Sequence, residues 1–241
     1  MTQEEKEKLA YLCNPKGKII LDVGCGNGRF SDFFSENCKK YIGIDIDENQ
    51  INMNNKNNDK ENVEYETVNI INYHPKEKFD IIFLSLAFHE IDIEEQGLAL
   101  KNMLGLLKKD GIIIIFDPEL KEDSFQGLWN IAYRSLNFYE HDYSVKHSKE
   151  VIEKAIREHL CRVVKKDYIE IPFEFNDYNE ILEMFINDDE FKDTKWDDKT
   201  KERLLSDFKK VFKNKGKLDI YDKLYIIVLK KEGEKKWKKK K

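Results

Sequence analysis

Asp22, Gly24, Gly26 and Gly28 stand at alternate positions in the stretch Leu21-Asp22-Val23-Gly24-Cys25-Gly26-Asn27-Gly28-Arg29. Glycines so spaced let the main chain take positive φ and let a ligand lie almost on the backbone. Asp45 closes a second apolar run, Tyr41-Ile42-Gly43-Ile44. A carboxylate at such a point accepts hydrogen bonds from the ribose hydroxyls of a bound nucleoside. Asp47, two residues on, reads as the N-cap of the next helix. His89 supplies an imidazole whose ordinary pKa, roughly 6.5, suits a general base. These residues describe a nucleoside-bearing ligand on a glycine turn, with a proton-handling group in the same chain.

The elements that must position them follow from the apolar pattern. Ile19 to Val23 is an unbroken apolar run apart from Asp22, the mark of a strand buried on both faces. Behind the glycines, Phe30, Phe33 and Phe34 fall on one helical face. That sequence is strand, glycine turn, helix, and the helix start offers free N–H groups and a positive dipole end. Further strands are read at Tyr41–Asp45, Val63–Val68, Phe79–Leu86, Gly111–Pro118, Val163–Ile171 and Leu224–Leu229. Helices are expected over Thr2–Leu12, within the Asn-rich stretch 49–62, over Ile93–Lys108 (ended by Lys109-Asp110-Gly111) and from an N-cap at Ser148 to Leu160. The alternation predicts an α/β fold with a doubly wound, mostly parallel seven-stranded sheet and helical insertions at 120–147 and 172–221. Ligands of such sheets lie at the carboxyl ends of the strands, and the glycine turn, Asp45, Asn69, Ser85–His89 and Asp117 all fall there.

Composition sets outer limits. The chain has 241 residues, 37% of them charged, with a net charge of −5, which suits a cytoplasmic protein. The N-terminus is polar and acidic rather than a secretory leader, and no apolar run reaches the roughly 20 residues of a membrane span. Cys13, Cys25, Cys38 and Cys161 form no metal-type or disulfide-type spacing. Eight of the last twelve residues are lysine, which leaves the rest of the chain strongly acidic. The stretch 231–241 reads as a basic, disordered tail after one domain over 1–230, and the acidic body argues against a large nucleic-acid footprint.

The segment Asp22 to Gly28 resembles motif I, (D/E)-x-G-x-G-x-G, of the class I S-adenosylmethionine-dependent methyltransferases. A nicotinamide fingerprint would place its last glycine at Arg29. The resemblance implies one molecule of S-adenosylmethionine, S-adenosylhomocysteine as product, and a cofactor site of Asp22, Gly24, Gly26, Gly28, Asp45, Ile46, Asn69, Ile70 and Ser85. In it Ile46 lies against the adenine and Asn69 meets the adenine amine, although an asparagine closing a turn reads equally from the sequence. It further implies that Ala87, Phe88, His89 and Glu90 face the methyl group, with His89 as candidate base, against a plain packing role. The aromatic stretch Leu120–His147, which holds Trp129, Tyr133, Phe138 and Tyr139, covers the substrate in this reading, against plain packing of an added helix. There Tyr133 is a positioning hydroxyl.

The (N/D)-P-P-(Y/F) signature of enzymes that methylate base or amide nitrogens is missing at Ser85–Phe88. No cysteine lies where a 5-methylcytosine nucleophile is needed, and no acid cluster suggests a magnesium site. A small-molecule acceptor, methylated on O, N or carboxylate, is the expectation. A tRNA or protein methyltransferase using the lysine tail, and a non-catalytic partner protein of the same fold, stay open beside it.

Overall fold

In the computed structural model, residues 1–137, 141–213 and 218–232 are described. Phe138 and Tyr139, and the lysine tail from residue 233 on, lie outside them. In chain order the elements are α1 (Gln3–Leu12), β1 (Ile19–Val23), α2 (Ser31–Ser35), β2 (Lys40–Asp45), α3 (Glu48–Asn57), β3 (Val63–Thr67), β4 (Phe79–Ser85), α4 (Ile93–Leu106), β5 (Leu107–Pro118), α5 (Phe125–Leu136), α6 (His141–Arg157), β6 (Cys161–Phe175), α7 (Tyr178–Ile186), α8 (Asp198–Val211) and β7 (Leu218–Lys231). The seven strands form one sheet in the order β3-β2-β1-β4-β5-β7-β6. The pairs β1–β2, β1–β4, β2–β3 and β4–β5 are parallel. The order reverses between β1 and β4, the switch point at which doubly wound sheets open a crevice.

The chain divides into two compact units. The first takes in Met1–Asp117, His147–Asp167 and Ile226–Lys241. Its centre is the apolar runs of β1, β4 and β5: Ile20, Leu21, Ile82, Phe83, Ile114 and Ile115 are all buried. Phe30 and Phe34 of the glycine-turn helix close edge-on against Phe83, with ring centroids 4.7 and 5.4 Å away, so the aromatic face read in the sequence is what seats α2 on the sheet. Asp47 caps α3, its carboxylate accepting from Asn49 N and Gln50 N. Thr2 and Glu5 form a reciprocal capping box that starts α1.

Two boundaries depart from expectation. Helix α4 stops at Leu106 and β5 begins at once with Leu107, which pairs with Phe79. Gly111 therefore sits inside a strand rather than ending a helix. A Cβ there would stand 2.8 Å from the Phe79 carbonyl, so the close approach of two strands is what calls for glycine. Ser148 is not an N-cap. Val145, Ser148, Ile152 and Ala155 make one buried stripe at helical spacing, so α6 runs straight through the serine.

The second unit takes in Pro118–Lys146 and Tyr168–Tyr225. Helices α5, α7 and α8 contribute Leu128, Ile131, Tyr133, Phe185, Leu204 and Phe208 to a core of its own. Trp129 and Phe191 pack there against Tyr133 and Phe185. Among the described residues no helix is long and apolar enough to cross a membrane.

Candidate active site

The first unit carries the glycine turn, and its conformation is fixed from three sides. Gly24, Gly26 and Gly28 take φ of 69°, 50° and 71°, a region closed to most side chains. Gly24 N and Cys25 N both donate to Ile44 O at the end of β2, at 2.8 and 3.1 Å. Gly26 N donates to Asp45 Oδ2 at 2.8 Å, and Asn54 Nδ2 of α3 donates to Gly26 O at 2.7 Å. The glycines differ in what surrounds them. A Cβ on Gly24 would lie 2.6 Å from Ala87 Cβ, and one on Gly28 2.7 Å from Tyr65 Oη, whereas at Gly26 nothing stands within 4 Å. Gly24 and Gly28 are thus demanded by packing. Gly26 faces open space, the cradle that a ligand lying on the main chain requires.

Asp22 sits beneath this turn. It is buried and accepts a 2.6 Å hydrogen bond from Tyr41 Oη. Burial pushes its pKa up to about 7, against the lowering effect of that hydrogen bond and of Arg29. It supports the turn from below. Asp45 is at the surface of the edge, one oxygen on Gly26 N and the other accepting from Asp47 N at 3.0 Å. Ile46 beside it is 73% exposed, an apolar side chain with no protein partner to cover most of it. Asn69 accepts from Ile71 N at 3.1 Å and so caps the short 3-10 turn Ile70–Asn72. The turn role is the one seen for its carbonyl oxygen, and Ile70 is buried behind it.

Ser85 ends β4 and accepts from Arg29 Nη2 at 3.0 Å. Arg29 in turn pairs with the buried Glu5 of α1, Nη2 to Oε1 at 3.0 Å, and lies 4.4 Å over the Phe30 ring. In the sequence Arg29 stands out only where a nicotinamide fingerprint would need glycine, and nothing there ties it to Glu5. The capping-box spacing Thr2…Glu5 was the one local signal available, and a pairing across 24 residues leaves no mark in a single sequence.

Beyond Ser85 the chain turns sharply. Leu86 has φ 54°, in the left-handed region, and its N–H donates to Phe116 O at 2.8 Å. Phe88 is buried, and His89 is 3% exposed. His89 Nδ1 donates to Asp117 Oδ1 at 2.7 Å, and Nε2 meets Glu90 Oε1 at 2.9 Å. Burial alone would lower the pKa of His89. The charge and hydrogen bond of Asp117, joined by Glu90, outweigh it and raise the value to about 10. A base poised near neutrality is therefore not what this geometry offers. At neutral pH the ring is an imidazolium, a donor at both nitrogens. Tyr133 belongs to the second unit, where it is buried in the aromatic core and donates to Glu190 Oε1 at 2.7 Å. Among the described residues no cluster of His, Cys, Asp or Glu could hold a metal ion.

Residues 21–115 match the family model described as a methyltransferase domain. That stretch runs from β1 through β5 and holds the glycine turn, Asp45 and His89. Over that stretch the chain is similar to methyltransferase domains, and its fold is that of solved structures described below. The chain is similar to a ubiquinone biosynthesis O-methyltransferase of Bradyrhizobium diazoefficiens, 28% identical over 102 residues, which are 41% of this chain and 39% of that protein. An uncharacterized methyltransferase of Staphylococcus carnosus is 24% identical over 133 residues, 55% of this chain and 63% of that protein. The chain thus spans less than two thirds of either relative. A crystal structure from Bacillus halodurans shares the fold with TM-score 0.67 at 19% identity, covering 95% of this chain and 99% of that one. YcgJ from Bacillus subtilis does so with TM-score 0.59 at 18% identity, covering 96% and 100%.

Proposed function

We propose that the protein is an S-adenosylmethionine-dependent methyltransferase acting on a small molecule. The observation that carries this reading is the open space over Gly26, in a turn held by Asp45, at the switch point of the sheet. The residues fit the cofactor. Gly24 to Gly28 would take its main-chain-facing part, Asp45 the ribose hydroxyls and Ile46 a face of the adenine. Asn69 and Ser85 lie at the neighbouring strand ends. Asp22, beneath the turn, is a positioning residue. Arg29, tied to Glu5 and Ser85, sets the end of β4 against the turn.

A bound sulfonium supplies an already activated methyl group. The protein's share is to hold donor and acceptor about 3–3.5 Å apart in line and to keep water out. His89, charged and anchored by Asp117, offers a hydrogen-bond donor at the acceptor side of β4. The small-molecule reading is supported by the missing base- and amide-methylation signature and by the acidic chain. A relative named as a ubiquinone biosynthesis O-methyltransferase is in keeping with an oxygen acceptor.

Asp45→Ala tests the cofactor site. The ribose contacts and the Gly26 pin are lost together, so affinity for S-adenosylhomocysteine, measured by calorimetry, is expected to fall at least about tenfold. Unchanged affinity would remove Asp45 from the site.

A further inference from the structure

Asp22 is the one ionisable residue of β1, and it is buried at the strand end that leads into the glycine turn. The register sets Asp22 opposite Gly43 of β2, and Gly43 opposite Tyr65 of β3. The space left by the missing side chain of Gly43 is filled by its neighbours. A Cβ there would lie 2.7 Å from Tyr65 Cδ1 and 2.9 Å from Cys25 Sγ. Tyr41, two residues before Gly43 and so on the same face of the sheet, is wholly buried and donates its phenol to Asp22 Oδ2 at 2.6 Å. Its ring meets that of Tyr65 edge-on, with centroids 6.0 Å apart. Tyr65 Oη in turn lies 2.7 Å from where a Cβ on Gly28 would stand. The turn thus rests on a layer made of Asp22, Tyr41 and Tyr65.

A carboxylate in such a layer ionises only where something offsets its lost hydration. The titratable and charged groups around Asp22 are Tyr41 and Asp45 of β2, Tyr65 of β3, Cys25 of the turn and Arg29 ahead of α2. On its other side β4 sets Phe83 opposite it. Asp45 is a like charge, and burial raises the pKa of Cys25 and of Tyr65. Arg29 is the cation of the group, and its guanidinium is bonded to Glu5 and Ser85. Burial raises the pKa of Asp22, and the hydrogen bond from Tyr41 is the foremost influence holding it back, to about 7.

We propose that Tyr41 is a positioning residue that acts through Asp22: its phenol keeps the carboxylate beneath the turn ionisable, and the ionised carboxylate makes the turn favour the cationic methyl donor over its product. The proposal rests on the methyltransferase reading above and adds to it a means of telling donor from product. S-adenosylmethionine and S-adenosylhomocysteine share ammonium, carboxylate, ribose and adenine. They differ by the methyl group and the sulfonium charge. A negative charge under the turn, poorly screened by water, attracts the sulfonium and gives the neutral thioether nothing comparable. Once the methyl group has been transferred that attraction is gone, and the product is held less tightly than the donor was.

The test is calorimetric titration of the full chain with S-adenosylmethionine and with S-adenosylhomocysteine between about pH 5 and 9, read as the ratio of the two dissociation constants. Groups common to both ligands largely cancel in that ratio. In the parent the donor is expected to gain on the product by about tenfold as pH rises through the Asp22 range. Asp22→Asn keeps the shape and an acceptor for Tyr41 but carries no charge, so its ratio should stay flat. Tyr41→Phe removes the bond that favours the ionised carboxylate, so the rise should move up by about one pH unit. Tyr65→Phe takes a phenol from the same layer without touching the Asp22 hydrogen bond. It should leave the rise where it is, which separates loss of packing from loss of that bond. A flat ratio in the parent, a pH-dependent ratio in Asp22→Asn, or a rise in Tyr41→Phe at the parent's pH would each overturn the proposal. A protein that binds both adenosyl ligands but fails these tests loses the Tyr41–Asp22 assignment alone. One that binds neither loses the methyltransferase reading itself.

Discussion

At the residue scale, two buried titratable groups make stability depend on pH in the same direction but in different windows. His89 has its pKa raised to about 10. Its contribution is fully present below about 6.5, the ordinary imidazole value, and is lost as pH rises through the folded value. Asp22, raised to about 7 by burial, favours its neutral form. Its contribution is present below the usual carboxylate range and is lost on the way up to neutral pH. Between about pH 7 and 10 the slope therefore belongs mainly to His89. At most it amounts to about 1.4 kcal/mol per pH unit, or some 2–4 °C of Tm per kcal/mol for a chain of this size. Scanning calorimetry of the parent should show Tm falling across that window, and His89→Gln should flatten the fall. An identical slope in both proteins would mean that the His89–Asp117 pair carries no net charge stabilisation.

At the element scale, the glycine turn allows a controlled comparison. Gly17 and Gly26 both have positive φ, 69° and 50°, and a Cβ on either would meet nothing within 4 Å. Alanine at each costs the same kind of backbone strain, about 1–2 kcal/mol. Only Gly26 lies on the proposed ligand path. Gly17→Ala and Gly26→Ala should lower Tm by similar amounts, while only Gly26→Ala weakens S-adenosylhomocysteine, by at least about tenfold. Equal affinity in the two variants would make the open space over Gly26 incidental.

The same turn marks what a single sequence can convey. Its strand, spacing and following helix are local, so Ile19–Gly28 and the Phe30/Phe34 face could be read from apolar periodicity. Asp47 as a helix cap was legible for the same reason, since an N-cap bonds to its own next residues. The Ser148 boundary was misread because a serine in a helix interior and a serine at a cap look alike until the buried stripe Val145–Ser148–Ile152–Ala155 is seen. The ionisation of His89 depends on Asp117, 28 residues away, and the pairing of Arg29 with Glu5 spans 24. Neither distance is encoded by spacing or pattern. The left-handed turn at Leu86 was also hidden, since leucine is not a residue that signals positive φ.

At the scale of the whole molecule, the family match ends at residue 115, just before Pro118, where the second unit begins. The residues proposed to hold the cofactor lie in the matched stretch, and Glu5 of α1 reaches them through Arg29. The second unit has its own aromatic core, in which Tyr133 is held by Glu190 and by packing on Trp129 and Phe191.

The central claim is that the turn from Gly24 to Gly28, with Asp45, holds an adenosyl cofactor. The most direct measurement is calorimetric titration of the purified protein with S-adenosylmethionine, S-adenosylhomocysteine and NADH. The account predicts micromolar binding of both adenosyl ligands and none of NADH. Binding of NADH, or of neither adenosyl ligand, would contradict it.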